Sequence, residues 1–377
     1  MFGSRLRLFR LLGFEVRLDA SWIIIALLIV WSLGAGTFPA QYPALPSWAH
    51  WTMAGAGAIG LFLSIVFHEL SHSLVARTQG ISMRGITLFI FGGVAEMENE
   101  PPTARAEFLM AIAGPIASFV LAGVFFALAT ISTAAGWPIA AGGTFLFLSG
   151  INLTLAIFNL IPAFPLDGGR VLRSALWAWK GNLRWATRIS SSLGSAFGIV
   201  LMLLGAFFFF RGDPIGGIWF ALIGLFVRSA AMGSYRQLIL REALDGERVR
   251  RFMTPPAVVS PDTPVDALVE EHLYRRREDL LPVVDDGGAL LGCVSLDRVK
   301  RLPREEWPLR RAREVVSDCG VDDVIGPDES AVAGLRRLRG AGRSRLLVVE
   351  DGRPVGVLSL SDLLGFISMK LELEGNS

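Results

Sequence analysis

The sequence predicts an α-helical polytopic membrane protein with six transmembrane helices and a short membrane-level β-hairpin, followed by a smaller α/β domain in the cytosol. Three observations carry this reading. Of 377 residues, 52% are hydrophobic and the mean hydropathy is +0.50, too apolar for an ordinary soluble chain. The apolarity is uneven: residues 1–233 hold nearly all the long apolar runs, whereas 234–377 are rich in Arg, Asp and Glu. Within the second part, a pattern of strand, acidic-Gly turn, strand and helix start occurs twice. The expected divisions are a membrane domain over 1–235, a linker over 236–247, a tandem domain over 248–369 and a tail over 370–377.

The chain begins with a lead-in carrying Arg5, Arg7, Arg10 and Arg17 and no small-residue cleavage site, read as a basic cytoplasmic segment rather than a removed signal peptide. Six stretches are long and apolar enough to cross a bilayer, at approximately 21–38, 53–78, 106–131, 144–164, 189–210 and 215–233. The connection at 166–188 carries Arg170, Arg173, Lys180, Arg184 and Arg188, and Arg228, Arg236 and Arg241 end or follow the sixth span. The connections at 39–52 and 132–143 carry no Lys or Arg. Basic residues concentrate on the cytoplasmic side, so both termini and the second domain are expected there, in a multi-pass protein of the cell membrane.

The second span contains His68-Glu69-Leu70-Ser71-His72. Residues four apart share a helix face, so His68 and His72 can offer their imidazoles to one metal ion. Glu69 beside them suits a general base acting on water. Ionisable groups inside an apolar span are expensive and mark function by default. After this span, residues 84–97 alternate loosely around Phe91-Gly92-Gly93 and read as a hairpin. Either it is a surface loop, or Gly92 and Gly93 belong to an edge strand that binds an extended peptide. The third span carries Ala113-Gly114-Pro115 and Ser118, small residues assigned to close helix packing.

The fourth span ends in Asn159-Leu160-Ile161-Pro162-Ala163-Phe164-Pro165-Leu166-Asp167-Gly168-Gly169-Arg170. Two prolines break the helix there, and two glycines let the backbone turn sharply after an acid. Irregular backbone at membrane depth survives only where it is buried in protein or lines a wet cavity. Asp167 therefore suits a third metal ligand, leaving a fourth position open, and the Asn159 amide suits an oxyanion. Taken alone, a helix cap and an interhelical polar contact would also explain these two residues. Glu69 and Asp167 are the clear acids at membrane depth.

Together, His68-Glu69-Leu70-Ser71-His72, the Gly92-Gly93 hairpin and N-x-x-P-x-x-P-L-D-G-G over 159–169 resemble the site-2 protease family of zinc intramembrane proteases. The resemblance spans about residues 10–235. It implies a six-helix core in which His68, His72 and Asp167 hold one Zn2+, Glu69 activates water and Asn159 helps bind substrate or transition state. It also implies a single-pass membrane protein as substrate, anti-sigma factors among them, cut within or beside the lipid bilayer. No inserted module resembling a PDZ domain lies between the spans.

The repeat in the second part runs through LLPVVDDGGALLGCVSLDRV and RLLVVEDGRPVGVLSLSDLL and resembles a tandem CBS pair, a family that binds adenine nucleotides between its halves. G-x-x-S/T-x-x-D closes each repeat of that family. Gly356, Ser359 and Asp362 match it, which implies a site for ATP or AMP, whereas the first repeat has Arg298 where the carboxylate belongs. The alternative is a purely structural module through which the chain forms a homodimer. A transporter-like or catalytically silent membrane protein with a CBS module is the competing reading. A net charge of +2 with scattered basic residues excludes a nucleic-acid stripe. Cys293 and Cys319, without Cys-x-x-Cys spacing, are expected as buried reduced thiols, and His50 and His272 as ordinary surface residues.

Overall fold

The structure is a computed structural model that describes residues 6–81, 83–89, 92–97, 100–275, 280–321, 323–340 and 342–374. The chain divides into two compact units, Met1–Arg236 and Gln237–Ser377.

The first unit opens with strands β1 (Leu6–Leu11) and β2 (Phe14–Leu18), followed by helices α1 (Ala20–Gln41) and α2 (Ser47–Thr78). Strands β3 (Met83–Phe89) and β4 (Gly92–Met97) precede α3 (Ala104–Ala134) and α4 (Ile139–Asn159). A short helix, α5 (Asp167–Lys180), leads to α6 (Leu183–Phe210) and α7 (Pro214–Leu244). Six of these helices are long and apolar enough to cross a membrane: α1, α2, α3, α4, α6 and α7. Large apolar side chains such as Leu27, Trp48 and Phe210 are exposed on them, as expected where lipid is the solvent. Packing between the helices uses small residues. A Cβ on Gly198 would lie 2.6 Å from the Gly224 carbonyl, and one on Gly205 2.6 Å from that of Gly217, so α6 and α7 approach backbone to backbone.

The basic lead-in pairs into the membrane unit's sheet. The sheet has the order β1-β2-β3-β4. Strands β1 and β2 are antiparallel, β2 and β3 parallel, and β3 and β4 antiparallel, with Val16 opposite Ile86 and Leu88 opposite Gly93. Phe14, Val16, Leu18, Ile86 and Leu88 bury one face of the sheet against Val66 and Leu70 of α2. That packing fixes the sheet beside the His-Glu helix and leaves β4 as its outer edge. Phe91, in the expected hairpin turn, lies outside the described residues.

The fourth span has the expected length but lies five residues earlier in the chain. It ends at Asn159, and the polar connection beyond it holds α5, an amphipathic helix hidden by its Gly-Gly start. Helix α7 likewise continues to Leu244, through most of the stretch read as a linker.

The second unit contains β5 (Leu280–Val284) paired with β6 (Leu290–Ser295), and β7 (Val324–Ile325), β8 (Arg345–Glu350) and β9 (Arg353–Ser359) in a second sheet. Each sheet has its own apolar core, one around Leu281, Val283 and Val294 and one around Leu346, Val348 and Leu358. Helix α8 (Ala331–Gly340) and helix α9 (Leu360–Glu374) cover the second sheet. The cysteines correct the expectation of free thiols, since Cys293 and Cys319 are joined by a disulfide. The Cys293 amide donates to the Ser317 carbonyl, and the Cys293 carbonyl accepts from the Ser317 amide. That bridge brings the two sulfurs together although they stand 26 residues apart in sequence.

Candidate metal centre

Helix α2 presents His68 and His72 one turn apart, their ring centroids 4.9 Å from each other. Asp167, the first residue of α5, enters from the opposite side. Its Oδ2 lies 3.1 Å from His68 Nε2 and 3.2 Å from His72 Nε2, and the two Nε2 atoms are 3.2 Å apart. Both histidines are buried.

The outer nitrogens of the two rings decide what this triangle is. His72 Nδ1 lies 2.7 Å from the Met110 carbonyl. A carbonyl only accepts, so Nδ1 carries the proton and Nε2 turns a lone pair inward. His68 Nδ1 is engaged by Ser118 Oγ at 2.8 Å, an arrangement that likewise directs Nε2 at the centre. Three lone-pair-bearing atoms therefore converge in a buried site, which asks for a cation. For tetrahedral bonds of about 2.0–2.1 Å the ligand atoms stand about 3.3 Å apart, and the observed edges of 3.1, 3.2 and 3.2 Å fit that figure. The donor set of two imidazoles and one carboxylate suits zinc with one coordination position left free.

Helix α3 shapes the site without contributing a ligand. A Cβ at Gly114 would overlap Nε2 of both histidines. The small residues of this helix thus do more than pack; they let α3 close over the metal position. Ser118, read from the sequence as a packing residue, and the Met110 carbonyl orient the two rings. Their spacing of 110, 114 and 118 along one helix face is the signal that would have found them. Asp167 is held by its neighbours. Neither Gly168 nor Gly169 has positive φ, so they do not provide the sharp turn that the sequence suggested. Both are helical, and a Cβ on either would strike the backbone of residues 160–164. They are glycine because the start of α5 lies flat on the segment after α4.

Glu69 stands next to His68, half-buried and outside the ligand triangle. Gly93 of the edge strand faces it: a Cβ there would lie 2.9 Å from Glu69 Oε1. Gly92 pairs with Phe89 at the start of the same strand. Asn159 ends α4, half-buried, with no side-chain hydrogen bond to His68, His72 or Asp167 among the described residues. A buried acid was overlooked in the sequence, since Glu107 in the first turn of α3 is completely buried. His50 is also not a surface residue. It is buried in the first turn of α2, its Nε2 3.0 Å from the Tyr42 carbonyl. His272 lies half-buried in the segment Val269–Arg275.

In the second unit, Ser359 and Asp362 come together at the start of α9. The Ser359 hydroxyl donates to Asp362 Oδ2 at 2.6 Å and accepts from the Asp362 amide at 3.1 Å, the geometry of a helix N-cap.

Comparison with known proteins adds the lineage. The model of peptidase family M50 matches residues 56–142 and 131–205, and that of the CBS domain matches 249–305 and 313–369. Rip3 of Mycobacterium tuberculosis, named among the zinc metalloproteases, is 33% identical over 96% of this chain and 92% of its own length. Zinc metalloprotease MJ0392 of Methanocaldococcus jannaschii is 29% identical over 98% of this chain and 97% of its own. Among solved structures, the site-2 protease from Methanocaldococcus jannaschii is 31% identical, covering 62% of this chain and 96% of its own with a TM-score of 0.43. With its His-Glu-x-x-His span, its cluster of His68, His72 and Asp167 and its paired repeats, the chain belongs to peptidase family M50, the site-2 protease family, and carries a tandem CBS pair.

Proposed function

We propose that this protein is a zinc-dependent intramembrane endopeptidase that hydrolyses a peptide bond in or beside the transmembrane segment of a single-pass membrane protein. The observation that carries the reading is the triangle of His68, His72 and Asp167 with Glu69 just outside it. His68, His72 and Asp167 would hold the zinc, which when bound would supply Lewis acidity. Glu69 takes the proton from the attacking water and returns it to the leaving amine nitrogen. Asn159 donates its amide N–H to the oxygen that gains negative charge. The substrate lies extended along β4, the edge strand of the sheet among the described residues, with Gly92 and Gly93 admitting it close to Glu69. A helical substrate has its carbonyls tied up in hydrogen bonds, so it must unwind before attack. Glycine, proline or polar residues near the cut lower that cost.

The substrate class includes membrane-anchored regulators such as anti-sigma factors. Both termini and the CBS pair lie in the cytoplasm, on the basic side of the membrane. ATP or AMP bound with Ser359 and Asp362 regulates the protease, and pairing of the CBS units forms the homodimer.

The test is zinc content and cleavage measured on the detergent-purified full chain. Wild type and Glu69→Gln are expected to carry near one zinc per chain, Asp167→Ala clearly less, and only wild type to cleave transmembrane reporters. A metal-replete wild type without zinc would overturn the reading.

A further inference from the structure

Helix α3 touches both zinc-site histidines directly, and it also reaches the third ligand, through a buried ion pair. Arg173 of α5 is 4% exposed and Glu107 of α3 is 0% exposed. The Arg173 Nε donates to Glu107 Oε1 at 2.6 Å, and its Nη2 reaches the same carboxylate and, at 3.2 Å, Glu100 Oε2. The guanidinium also sits over the Phe164 ring, 5.2 Å from its centroid. Phe164 belongs to the segment that runs into Asp167, and its backbone is what Gly169 and Gly194 pack against. Arg173 therefore grips both sides of the aspartate: the helix that follows it and the turn that leads into it.

Burying a charge pair this completely is costly, and packing α5 alone does not require it. Apolar side chains of the same size would hold two helices together as well. We infer that Glu107 and Arg173 are positioning residues for the metal site, and that their ion pair sets the register in which Asp167 meets His68 and His72. This rests on the zinc reading of those three residues. The geometry gives the pair leverage. Arg173 lies six residues beyond Asp167, about 9 Å along the helix. A 10° tilt about that anchor moves the carboxylate by about 1.5 Å, which is most of a zinc–oxygen bond of about 2.0–2.2 Å. Helix α3 thus acts as a common template. It orients His72 through Met110, His68 through Ser118, and Asp167 through Glu107.

The test uses the full chain in detergent, with zinc and cobalt as probes. Zinc affinity is measured by competition with a chelator, and the visible spectrum of the cobalt-loaded protein reports ligand geometry. Glu107→Gln and Arg173→Lys are expected to weaken zinc binding at least tenfold, with altered cobalt bands, in protein that still unfolds cooperatively. Supporting residues around metal ligands characteristically act on this scale, about 10- to 100-fold. Arg173→Lys keeps charge and stem while losing the planar fork, so it decides the matter if Glu107→Gln does not fold. Lower thermal stability with wild-type zinc affinity and cobalt spectrum in either folded variant would reduce the pair to helix packing and overturn the inference. In that case a zinc-loaded wild type leaves the metal reading standing, whereas a wild type that takes up no zinc removes both.

Discussion

Gly93 of the sheet's edge strand lies against Glu69 so closely that a Cβ there would stand 2.9 Å from the Glu69 Oε1 and 2.5 Å from its Cγ. The strand that would carry the substrate and the residue that would carry the proton are in contact. Gly93→Ala must therefore move one of them. Because Glu69 lies outside the cluster of His68, His72 and Asp167, the expected result is full zinc content with cleavage of a transmembrane reporter reduced at least tenfold, a loss worth about 1.4 kcal/mol or more in the transition state. Unchanged cleavage would mean that the strand yields freely and has no part in placing substrate.

The parts of the site that were legible in the sequence are those that obey a local rule. His68 and His72 declare themselves by four-residue spacing in an apolar span, and Asp167 by an acid next to broken helix at membrane depth. The parts that were not legible are contacts between distant segments. Ser118 meets His68 across 50 residues, and Arg173 meets Glu107 across 66. No periodicity links such positions. The same limit hid the strand pair of the lead-in, since Leu6–Leu11 gains its structure only by pairing with Phe14–Leu18, which itself pairs with Met83–Phe89 beyond two membrane helices. Gly168 and Gly169 misled in another way. Glycine serves turns and close approach equally, and only the fold shows that close approach is the reason here.

Ser118 is the support whose loss should be cleanest. It bonds His68 Nδ1 at 2.8 Å and is fully buried on α3. Ser118→Ala leaves the ring free to turn and to change tautomer. Zinc affinity is expected to fall about 10- to 100-fold, seen as faster loss of zinc to a chelator, while Ser118→Thr, which retains the hydroxyl, recovers part of it. Equal zinc retention in Ser118→Ala would show that packing alone holds the ring.

Ser359 and Asp362 allow two roles to be separated. The Ser359 hydroxyl caps α9, and removing an N-cap costs about 1 kcal/mol. Asp362 contributes its backbone amide, which Asp362→Ala keeps, and a carboxylate that accepts from the Ser359 hydroxyl, which Asp362→Asn keeps as an acceptor without its charge. If the pair also binds nucleotide, Asp362→Asn should weaken ATP or AMP binding at least tenfold by calorimetry while changing the thermal midpoint less than Ser359→Ala does. Ser359→Ala should lower both. Wild-type full chain that shows no saturable binding up to millimolar nucleotide would leave only the capping role.

The disulfide can be tested by counting thiols. Cys293 and Cys319 are separated by 26 residues, and closing a loop of that size removes unfolded-state entropy worth about 3.5 kcal/mol. The Cys293 side is rigid: the residue is buried in β6, and its backbone exchanges hydrogen bonds with Ser317 at 2.8 and 3.0 Å. Those bonds hold the two segments together whether or not the sulfurs are joined, so reduction should loosen the second unit without rearranging it. Non-reduced, denatured protein is expected to give no free thiols and reduced protein two, matching its two cysteines. Reductant should lower the unfolding midpoint of that unit by roughly 10 °C. The Cys293→Ser/Cys319→Ser double variant should sit at the lower midpoint with or without reductant. Two reactive thiols in protein purified without reductant would show instead that the pair stays open in solution, and the double variant would then unfold close to wild type.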